Sequence, residues 1–554
     1  HAATGGPRPA RRAGPPVGLS ACTPSAMEAR DGALLLAGAL VGALVATALT
    51  ARSLQQRPGP RCAKRRPSLS KAPRSKTSQQ EMQASPAPSG AVLDGCRIEE
   101  IRLHRITQLG EHFESANVPN GMRHNSETSD SVAIEYNKIM SNEDFIIRDV
   151  VRKRASKPHS DAFVRAGPRA LLHFDPNGVT AAVVTCGGLC PGLNNVIREV
   201  VQTLHYNYGV KRILGIRGGY AGFCSEELPP IELTPEVVSD IHHEGGTVLA
   251  SSRGSFDIDK IISFLERERV TQLFVVGGDG THRGAFTISE ECIRRQLNVA
   301  VAGIPKTIDN DVDLIDRSFG FQTSVEAAQA AIRAAKTEAR CNLPNGIGIV
   351  KLMGRSSGFI AVHATLASGD VDLCLVPEVP IILEGEHGVL PHLMRRVEEQ
   401  GHAVVVVAEG AGEELLGQSA EVDASGNRKL PAIGEFVKKQ IVRFFRENGK
   451  TATVKYIDPS YMIRSVPANA ADALYCMLLG QNAVHGAMAG LSGFTTGLVN
   501  NRMCLIPIPQ IVATSPRVLN PAGRSWERVL SVTRQPSVHV PFDPSVPSSA
   551  RTVI

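Results

Sequence analysis

Two short runs, VVGGDGT at 275–281 and PKTIDND at 305–311, decide the fold class of this chain. An apolar stretch precedes each run, residues 273–276 before the first and 299–304 before the second. Such short stretches, broken by glycine or proline, are typical of buried parallel strands. We therefore predict an α/β fold in which polar loops follow the carboxyl ends of the strands.

The first run is predicted to be a phosphate loop. Gly277, Gly278 and Gly280 have no Cβ atom, so backbone N–H groups can approach anionic oxygens closely. A helix beginning near Arg283 would point its positive end at the same place. Asp279 would then lie where a magnesium ion binds. The alternative is an ordinary strand and glycine turn, which many α/β proteins contain, so the second run has to decide.

The second run contains a candidate general base. Asp309 and Asp311 are two residues apart, so in an extended segment they lie on one face. One could take a proton while the other positions a cation or a hydroxyl. An aspartate with the ordinary pKa near ~4 is already ionised at neutral pH and needs no large shift to act as a base. The alternative interpretation is a capped turn.

A second strand, loop and helix precede these runs. Residues 180–184 are apolar, a glycine-rich loop follows at 187–192, and residues 193–206 have the period of an amphipathic helix. This unit is also predicted to cradle phosphate. Further along the chain, Arg253 is placed to reach a polyphosphate.

Composition fits a globular enzyme with tails. The 554 residues allow two domains plus tails, taking ~150 residues per domain as a loose prior. A hydrophobic content of 42% and 51 glycines suit an α/β enzyme with many tight turns. The net charge of +6 comes mainly from basic residues in the first 76 positions, so no nucleic-acid partner is predicted.

The N-terminal region allows three interpretations. Residues 32–51 are uncharged and mainly apolar, just long enough to span a bilayer, and a basic stretch follows them. They could form a membrane anchor with a cytoplasmic basic flank, a removed signal sequence, or part of an organelle leader. The first methionine is Met27, and the sequence leaves open whether residues 1–26 are translated.

The eleven cysteines are scattered without a paired framework, which favours a reducing compartment around the folded part. Cys186 and Cys190 form a C-x-x-x-C pattern, but two further metal ligands are missing nearby. We expect small thiols that line a glycine turn, with redox sensitivity as the alternative.

The chain resembles the 6-phosphofructokinase family, specifically its ATP-dependent group in plants and algae, from about residue 142 to 535. The resemblance rests on ordered motifs: TCGGLCPGLN at 185–194, GGDGT at 277–281, PKTIDND at 305–311, KLMGR at 351–355, AEG at 408–410 and YIDPSYMIR at 456–464. It implies a glycolytic enzyme that uses MgATP to phosphorylate the 1-hydroxyl of fructose 6-phosphate.

The resemblance also implies roles for individual residues. Asp279 would hold Mg²⁺, Asp309 would be the base, Thr307 would position reacting groups, Asp311 would support the site and Arg464 would clamp the 6-phosphate. The implied ATP contacts are Gly187, Arg253, Gly254, Gly278, Asp279, Gly280 and Thr281. The implied fructose 6-phosphate contacts are Thr307, Ile308, Asp309, Met353, Gly354, Arg355, Glu409, Tyr461, Met462, Ile463 and Arg464.

Two residues give conflicting indications of the phosphoryl donor. Relatives that use pyrophosphate usually carry an aspartate where this chain has Gly280, which favours ATP. Lys306 is more typical of pyrophosphate users, although the plant ATP-dependent group has it too. The alternatives are a pyrophosphate-dependent enzyme, a lipid or NAD kinase, which would share GGDGT, and a catalytically silent regulatory subunit.

The predicted domain organisation follows from these assignments. Residues 1–95 form a leader or anchor with a disordered linker, and 96–170 an N-terminal extension. Residues 171–320 with 465–515 form the larger nucleotide-binding domain, and 321–464 the smaller sugar-phosphate domain. Residues 516–554 are expected to be loosely ordered. Mostly parallel sheets flanked by helices should enclose the active site in the cleft between the domains, in a homodimer or homotetramer.

Overall fold

The computed structural model describes residues 100–121, 139–151, 159–252, 254–417, 421 and 430–537. The predictions for residues 1–95, including 32–51, lie outside this part of the chain. Among the described residues, no helix is both long and apolar enough to cross a bilayer.

Eighteen strands form the sheets of the described chain. In chain order they are β1 Glu100–His104, β2 Thr107–Gln108, β3 Val118–Pro119, β4 Phe145–Ile147, β5 His159–Arg165, β6 Leu171–Leu172, β7 Thr180–Thr185, β8 Arg212–Ile216, β9 Ile231–Glu232, β10 Gln272–Gly277, β11 Ala300–Pro305, β12 Gly346–Leu352, β13 Leu373–Leu375, β14 His402–Ala408, β15 Thr453–Ile457, β16 Leu491–Ser492, β17 Phe494–Val499 and β18 Arg502–Pro507.

Twelve α-helices pack on these sheets within the described residues. They are α1 Leu193–Gln202, α2 Ile258–Arg267, α3 Asp279–Arg294, α4 Phe321–Cys341, α5 Phe359–Ser368, α6 Val389–Gln400, α7 Glu413–Leu416, α8 Ile433–Glu447, α9 Ser460–Arg464, α10 Ala470–Met488, α11 Ile508–Thr514 and α12 Arg524–Thr533. A π-helical segment, Thr203–Tyr208, continues α1, and short 3-10 turns lie at Leu109–Glu111, Pro176–Gly178, Gly219–Phe223 and Ile241–His243.

The larger sheet has the order β1-β5-β18-β17-β11-β10-β7-β8-β9, with β4 beside β5. Its centre, from β17 to β8, is parallel, and the pairs β17-β18 and β8-β9 are antiparallel. Every residue of β7, β10 and β11 is buried. A continuous apolar strand is the pattern of a sheet covered on both faces, and helices do cover it here.

The smaller sheet, β13-β14-β12-β15, is entirely parallel. Its helices include α6 and α8, whose apolar sides pack into one core cluster with the strands. The two sheets with their helices confirm the predicted α/β class with mostly parallel sheets. The strands of the smaller sheet lie within the predicted 321–464 domain, but the larger sheet also contains β1, β4 and β5 from the predicted N-terminal extension. The domain limits stay predictions.

Element ends differ from the sequence prediction at the phosphate loop. The helix expected near Arg283 already begins at Asp279, because Gly278, in an extended conformation, directly precedes the first turn. The loop between β10 and α3 is therefore a single glycine, shorter than predicted. This brings the Asp279 carboxyl group to the positive end of the helix.

The prediction of a loosely ordered segment from residue 516 is wrong for the described residues up to 537. Trp526 in α12 is only 3% exposed and belongs to the main hydrophobic core. Gln535 accepts a hydrogen bond from the backbone of Cys374 at 2.8 Å and donates to the same residue's carbonyl at 3.0 Å. The Pro and Ser content of this segment suggested loose order, although residues 524–533 form an amphipathic helix.

We predict that Trp526→Ala lowers the free energy of unfolding by about 3–5 kcal/mol, because it empties a packed core site. Urea unfolding followed by far-UV circular dichroism measures this change. Val532→Ala, on an exposed position of the same helix, is the control and should cost less than ~1 kcal/mol. Equal effects of the two variants would contradict the burial of Trp526.

Candidate active site

Three loops meet at the carboxyl edge of the larger sheet because β7, β10 and β11 are neighbours in parallel register. The backbone N–H of Cys186 donates to the Val276 carbonyl at 2.8 Å, and that of Lys306 donates to the Gly277 carbonyl at 2.9 Å. These bonds extend the ladders beyond the strands. They hold together the segments that follow the three strands.

The phosphate loop is fixed by a buried histidine. His282 bonds the Gly278 carbonyl through Nδ1 at 3.1 Å and the Thr495 hydroxyl through Nε2 at 2.9 Å. Burial lowers the pKa of His282 to about 4, so the ring is neutral. A neutral ring donates from one nitrogen and accepts at the other, which suits both contacts. Sequence reasoning missed this residue.

Space for a ligand lies above the same loop. A Cβ atom at Gly280 would meet no other atom within 4 Å. Gly278 caps the sixteen-residue helix α3, and Asp279, Gly280 and Thr281 form its first turn. The N–H groups at such a helix N-terminus favour anions. The structure thus gives these residues the geometry of an anion-binding site.

The second glycine loop lies beside the first. Gly187 has φ +87, a conformation that favours glycine, and its carbonyl accepts from the Ser251 hydroxyl at 2.7 Å. A Cβ atom at Gly187 would lie 3.4 Å from Nζ of Lys306. The Lys306 ammonium group, in a residue only 8% exposed, is therefore close to both loops. Gly254 has φ +81, while Arg253 lies outside the described residues.

The loop after β11 is organised by its own side chains. Thr307 donates from its hydroxyl to Asp311 at 2.7 Å, and the backbone N–H of Asp309 donates to the same hydroxyl at 3.2 Å. Asn310 between the acids has φ +56, so the segment is not the extended one that the spacing suggested. The two aspartates nonetheless lie close enough to interact electrostatically.

Asp309 is the most strongly perturbed acid of the site. Burial, then the neighbouring charges of Asp311 and Glu409, raise its pKa well above the ordinary value, against the lowering effect of Lys306 and Arg355. Among the described residues, its Oδ1 is one of the few buried side-chain oxygens that lack a hydrogen-bond partner. The raised pKa of Asp309 was not predicted, because the sequence does not show burial.

Asp279 is affected in the same direction. Burial and the charge of Asp311 raise its pKa to about 6, while Arg283 and Lys306 act to lower it. Carboxylates of two loops therefore share one electrostatic environment with a single buried lysine. Such mutual repulsion favours the binding of a cation between them.

The carboxyl edge of the smaller sheet supplies the opposite wall. The ends of β12 and β14 are paired at Leu352 and Ala408, so the loop at 353–355 lies beside Glu409. The backbone N–H of Gly410 donates to the Gly354 carbonyl at 3.1 Å, and a Cβ atom at Gly410 would lie 1.9 Å from the Arg355 carbonyl oxygen. Only glycine permits this close contact between the two loops.

Glu409 has cations around it. Burial raises its pKa, and the charges of Lys351, Arg355 and Arg464 oppose that shift. Lys351 also bonds Asp458 at 2.8 Å. Because Glu409 and Arg355 both act on the pKa of Asp309, the edges of the two sheets face each other. The predicted catalytic residue and these predicted sugar-phosphate residues are therefore brought together.

Helix α9 places the remaining predicted sugar-phosphate residues. Tyr461 and Met462 are 73% and 72% exposed, and the guanidinium of Arg464 lies 4.8 Å from the centre of the Tyr461 ring. The side chains of Ile308 and Ile463 are buried in the core, so they do not face the site. Met353 is partly buried against the same core. For the two isoleucines, only the backbone can meet a ligand.

Two cysteines of the second glycine loop, the one that contains Gly187, are packing residues. Cys186 and Cys190 are buried free thiols, and burial raises the pKa of Cys186 to about 12. A thiol that stays protonated is a poor nucleophile, which contradicts the redox alternative. Within the described residues, no group of three or more potential ligands is placed to hold a metal ion without help from a ligand.

Sequence reasoning missed four further residues of this region. Lys351 and Asp458 stand inside quoted motifs at strand ends, and their position was a usable signal. Glu378 and Arg517 belong to no motif and had none. Arg517, only 5% exposed, reaches the Asn310 carbonyl at 2.8 Å with Nε.

Two glycine loops, a buried cation and a buried acid with an unpartnered oxygen are the parts of a phosphotransferase site. Consistent with this class, the family model described as Phosphofructokinase matches residues 180–487. The match spans more than half of the chain, and the chain belongs to the phosphofructokinase family.

Curated relatives cover most of the chain. ATP-dependent 6-phosphofructokinase 7 of Arabidopsis thaliana is 54% identical over 391 residues, 70% of this chain and 80% of the relative. ATP-dependent 6-phosphofructokinase 4, chloroplastic, from the same organism is 50% identical over 414 residues, 74% and 77% of the two chains. The ATP-dependent 6-phosphofructokinase of Borreliella burgdorferi is 48% identical over 380 residues, 67% and 85%.

Solved structures share the fold. A pyrophosphate-dependent phosphofructokinase from Marinobacter aquaeolei superimposes with a TM-score of 0.54 at 20% identity, over 68% of this chain and 97% of the other. Pichia pastoris phosphofructokinase in the T-state gives 0.51 at 22% identity, over 68% and 42%. At these identities the comparison shows the architecture, two α/β domains, and not the donor.

Proposed function

We propose that this chain transfers the γ-phosphoryl group of ATP to the 1-hydroxyl of fructose 6-phosphate, giving fructose 1,6-bisphosphate and ADP. The observation that carries the proposal is the buried Asp309 carboxyl, whose unpartnered Oδ1 lies between a phosphate-loop edge and a cationic edge. The names of the relatives that are about 50% identical support the same activity.

The larger domain is proposed to bind ATP. The first turn of α3 and the loop at Gly187 present backbone N–H groups and no bulky side chains where phosphates would lie. Lys306, near both loops, would neutralise phosphate charge. We propose Arg253 and Gly254 as further nucleotide contacts. They follow Ser251, whose hydroxyl donates to the Gly187 carbonyl, and Ser252, whose carbonyl accepts from the Gly187 N–H.

The acidic residues fit a nucleotide-bound Mg²⁺. Mg²⁺ in such enzymes takes one or two protein carboxylates, and phosphate oxygens and waters complete its shell. Asp279 provides such a carboxylate. Burial and the charge of Asp311 raise its pKa, and a bound cation would relieve this unfavourable environment of the ionised carboxylate. When bound, the ion neutralises charge on the transferred group.

Asp309 is proposed to accept the proton of the sugar 1-hydroxyl. A carboxylate with a raised pKa is a stronger base than an ordinary one, and ionisation is favoured by Lys306 and Arg355. Thr307 and Asp311 fix its backbone through two hydrogen bonds. The protein thus orients the acceptor oxygen and removes its proton. Positioning of this kind, together with charge neutralisation, provides most of the catalysis of phosphoryl transfer.

The smaller domain is proposed to bind fructose 6-phosphate. Arg355 and Arg464 are the cations around Glu409 that can reach a phosphate, and guanidinium groups bind phosphate through paired donors. Glu409 would accept from sugar hydroxyls. The backbone at 353–354 and the exposed face of α9 at Tyr461 and Met462 would complete the contact.

The donor assignment rests on Gly280. The open space at this position is what an α-phosphate and nucleoside would need, and an aspartate here would fill it with negative charge. Lys306 could bind phosphate of either donor, because it lies beside both glycine loops. It does not occupy the space at Gly280, where the α-phosphate and nucleoside of ATP would lie. Pyrophosphate dependence is the alternative that the first experiment tests.

We expect the purified protein to turn over fructose 6-phosphate with MgATP at least 100-fold faster than with magnesium pyrophosphate. Coupled assays of fructose 1,6-bisphosphate formation measure both rates. Gly280→Asp should reverse or strongly reduce the preference by repelling the α-phosphate. Turnover with pyrophosphate alone would overturn the ATP assignment. If fructose 6-phosphate is not phosphorylated with either donor, the acceptor is a different molecule, as in the lipid or NAD kinase alternative.

Replacing the base tests the proposed proton transfer. We expect Asp309→Ala to lower kcat at least 10³-fold, at the upper part of the range for losing a general base, while ATP affinity and melting temperature stay near wild type. Isothermal titration with a nonhydrolysable ATP analogue and thermal unfolding supply those readouts. Retained turnover in a folded variant would refute the base assignment and leave the regulatory-subunit alternative unsupported.

The pH profile tests the role of Asp279. Its pKa of about 6 means that acid below this pH protonates the carboxyl, so kcat/KM for MgATP should fall there. Arg283 acts to lower this pKa, so Arg283→Gln should move the acid limb to higher pH. Arg283 is not among the charges that act on Asp309. If the acid limb of the profile does not move in Arg283→Gln, the limb reports the titration of another acid.

Assembly and location are proposed more coarsely. Family members make a homodimer or homotetramer the natural proposal for this chain. A relative named chloroplastic supports the plastid-leader interpretation of the N-terminal region. The membrane-anchor and signal interpretations of residues 32–51 stay predictions.

A further inference from the structure

The segment 515–519, called here the C-terminal brace, joins the base loop to the smaller domain. At one end, the backbone N–H of Arg517 donates to the Asp311 carbonyl at 2.7 Å, and the Ser515 hydroxyl accepts from the Asp313 N–H at 3.0 Å. At the other end, the N–H of Leu519 donates to Glu378 Oε1 at 2.8 Å. A few residues of chain thus connect two sides of the site.

The guanidinium of Arg517 is inserted under the base loop. Nε donates to the Asn310 carbonyl at 2.8 Å and Nη1 to the Ile315 carbonyl at 3.2 Å. Its carbon Cζ lies 5.1 Å from the ring centre of Phe359, the first residue of α5. A buried arginine that reaches backbone carbonyls of one loop holds the shape of that loop.

Glu378 is the anchor of the brace on the smaller domain. Its carboxyl group also accepts from the N–H of Gly358 at 3.0 and 3.1 Å. Gly358 caps α5 and ends the loop that begins at Met353 and contains Arg355. The same carboxylate therefore binds the brace and the end of the proposed sugar-phosphate loop.

We propose that Arg517 is a positioning residue for the base, and that the brace sets the spacing between the base loop and the sugar-phosphate loop. This inference rests on the proposed function. The guanidinium acts through the carbonyl of Asn310, the residue that directly follows Asp309, and through that of Ile315. The same loop is held from inside by Thr307, whose hydroxyl donates to Asp311 and accepts from the Asp309 N–H. Loss of the guanidinium would let the base loop move, although no contact to a substrate is lost.

The chain offers a matched control. Arg169 is 4% exposed. Like Arg517, it donates hydrogen bonds from two guanidinium nitrogens to backbone carbonyls, those of Gly167 at 3.2 Å and Arg165 at 2.6 Å. It lies in the predicted N-terminal extension and makes no bond to the base loop. Arg169→Met thus reproduces the loss of a buried, carbonyl-bound arginine elsewhere in the fold.

The experiment compares Arg517→Met with Arg169→Met. We expect Arg517→Met to lower kcat about 10- to 100-fold, as small misplacements of reacting groups do, with KM for ATP within about twofold. Arg517→Lys, which keeps the charge but not the paired donors, should recover part of the rate. Arg169→Met should lower the melting temperature similarly and leave kcat unchanged. Equal kcat losses per folded enzyme in both variants would overturn the proposal.

A second variant and a second readout keep the test decisive. Glu378→Ala removes the carboxyl group that accepts from the N–H groups of Leu519 and Gly358, and it should raise KM for fructose 6-phosphate about threefold or more. If Arg517→Met does not fold, wild-type kinetics in both Glu378→Ala and Arg517→Lys overturn the brace.

Hydrogen exchange separates this inference from the proposed function. Backbone amides in 306–316 should exchange faster in Arg517→Met, or in Arg517→Lys if the former does not fold, than in Arg169→Met. This holds whether or not the wild-type chain phosphorylates fructose 6-phosphate. Unchanged exchange would refute the brace, and changed exchange without any turnover would refute only the function.

Discussion

The burial of the Asp309 carboxyl group constrains the rest of the site. A buried acid without full hydrogen bonding is costly unless it is neutral or balanced by cations. Lys306 on the larger domain and Arg355 on the smaller one offset part of this cost, since both act to lower the pKa of Asp309. Charges from both domains therefore act on one carboxyl group.

The polar residues of the site are concentrated at the carboxyl ends of strands. Parallel strands in register bring their carboxyl ends to one edge, where backbone N–H groups and glycine turns can meet a phosphate. The larger sheet contributes three such ends, at β7, β10 and β11. The smaller sheet contributes β12 and β14. The strands that lead to these ends are themselves mainly apolar.

Local patterns predicted the parts of the fold that depend on neighbours in sequence. Apolar strands followed by glycine identified β10 and β11 to within about a residue. The α/β class followed from them. Burial depends on residues distant in sequence, and so the raised pKa of Asp309 and the inward direction of Ile463 were not predictable. The fixed neutral state of His282 has the same origin.

The C-terminal segment shows a further limit of composition as a guide. Proline and serine around Trp526 suggested loose order, since such residues seldom form a core by themselves. The segment is ordered because its few apolar side chains fit a surface built by other elements, and because its backbone bonds the partly buried Glu378. Chain that follows the last strand of a sheet can thus bond the loop that contains Asp309. A position such as Arg517 carries no local motif, because its partners are backbone carbonyls that any sequence can provide.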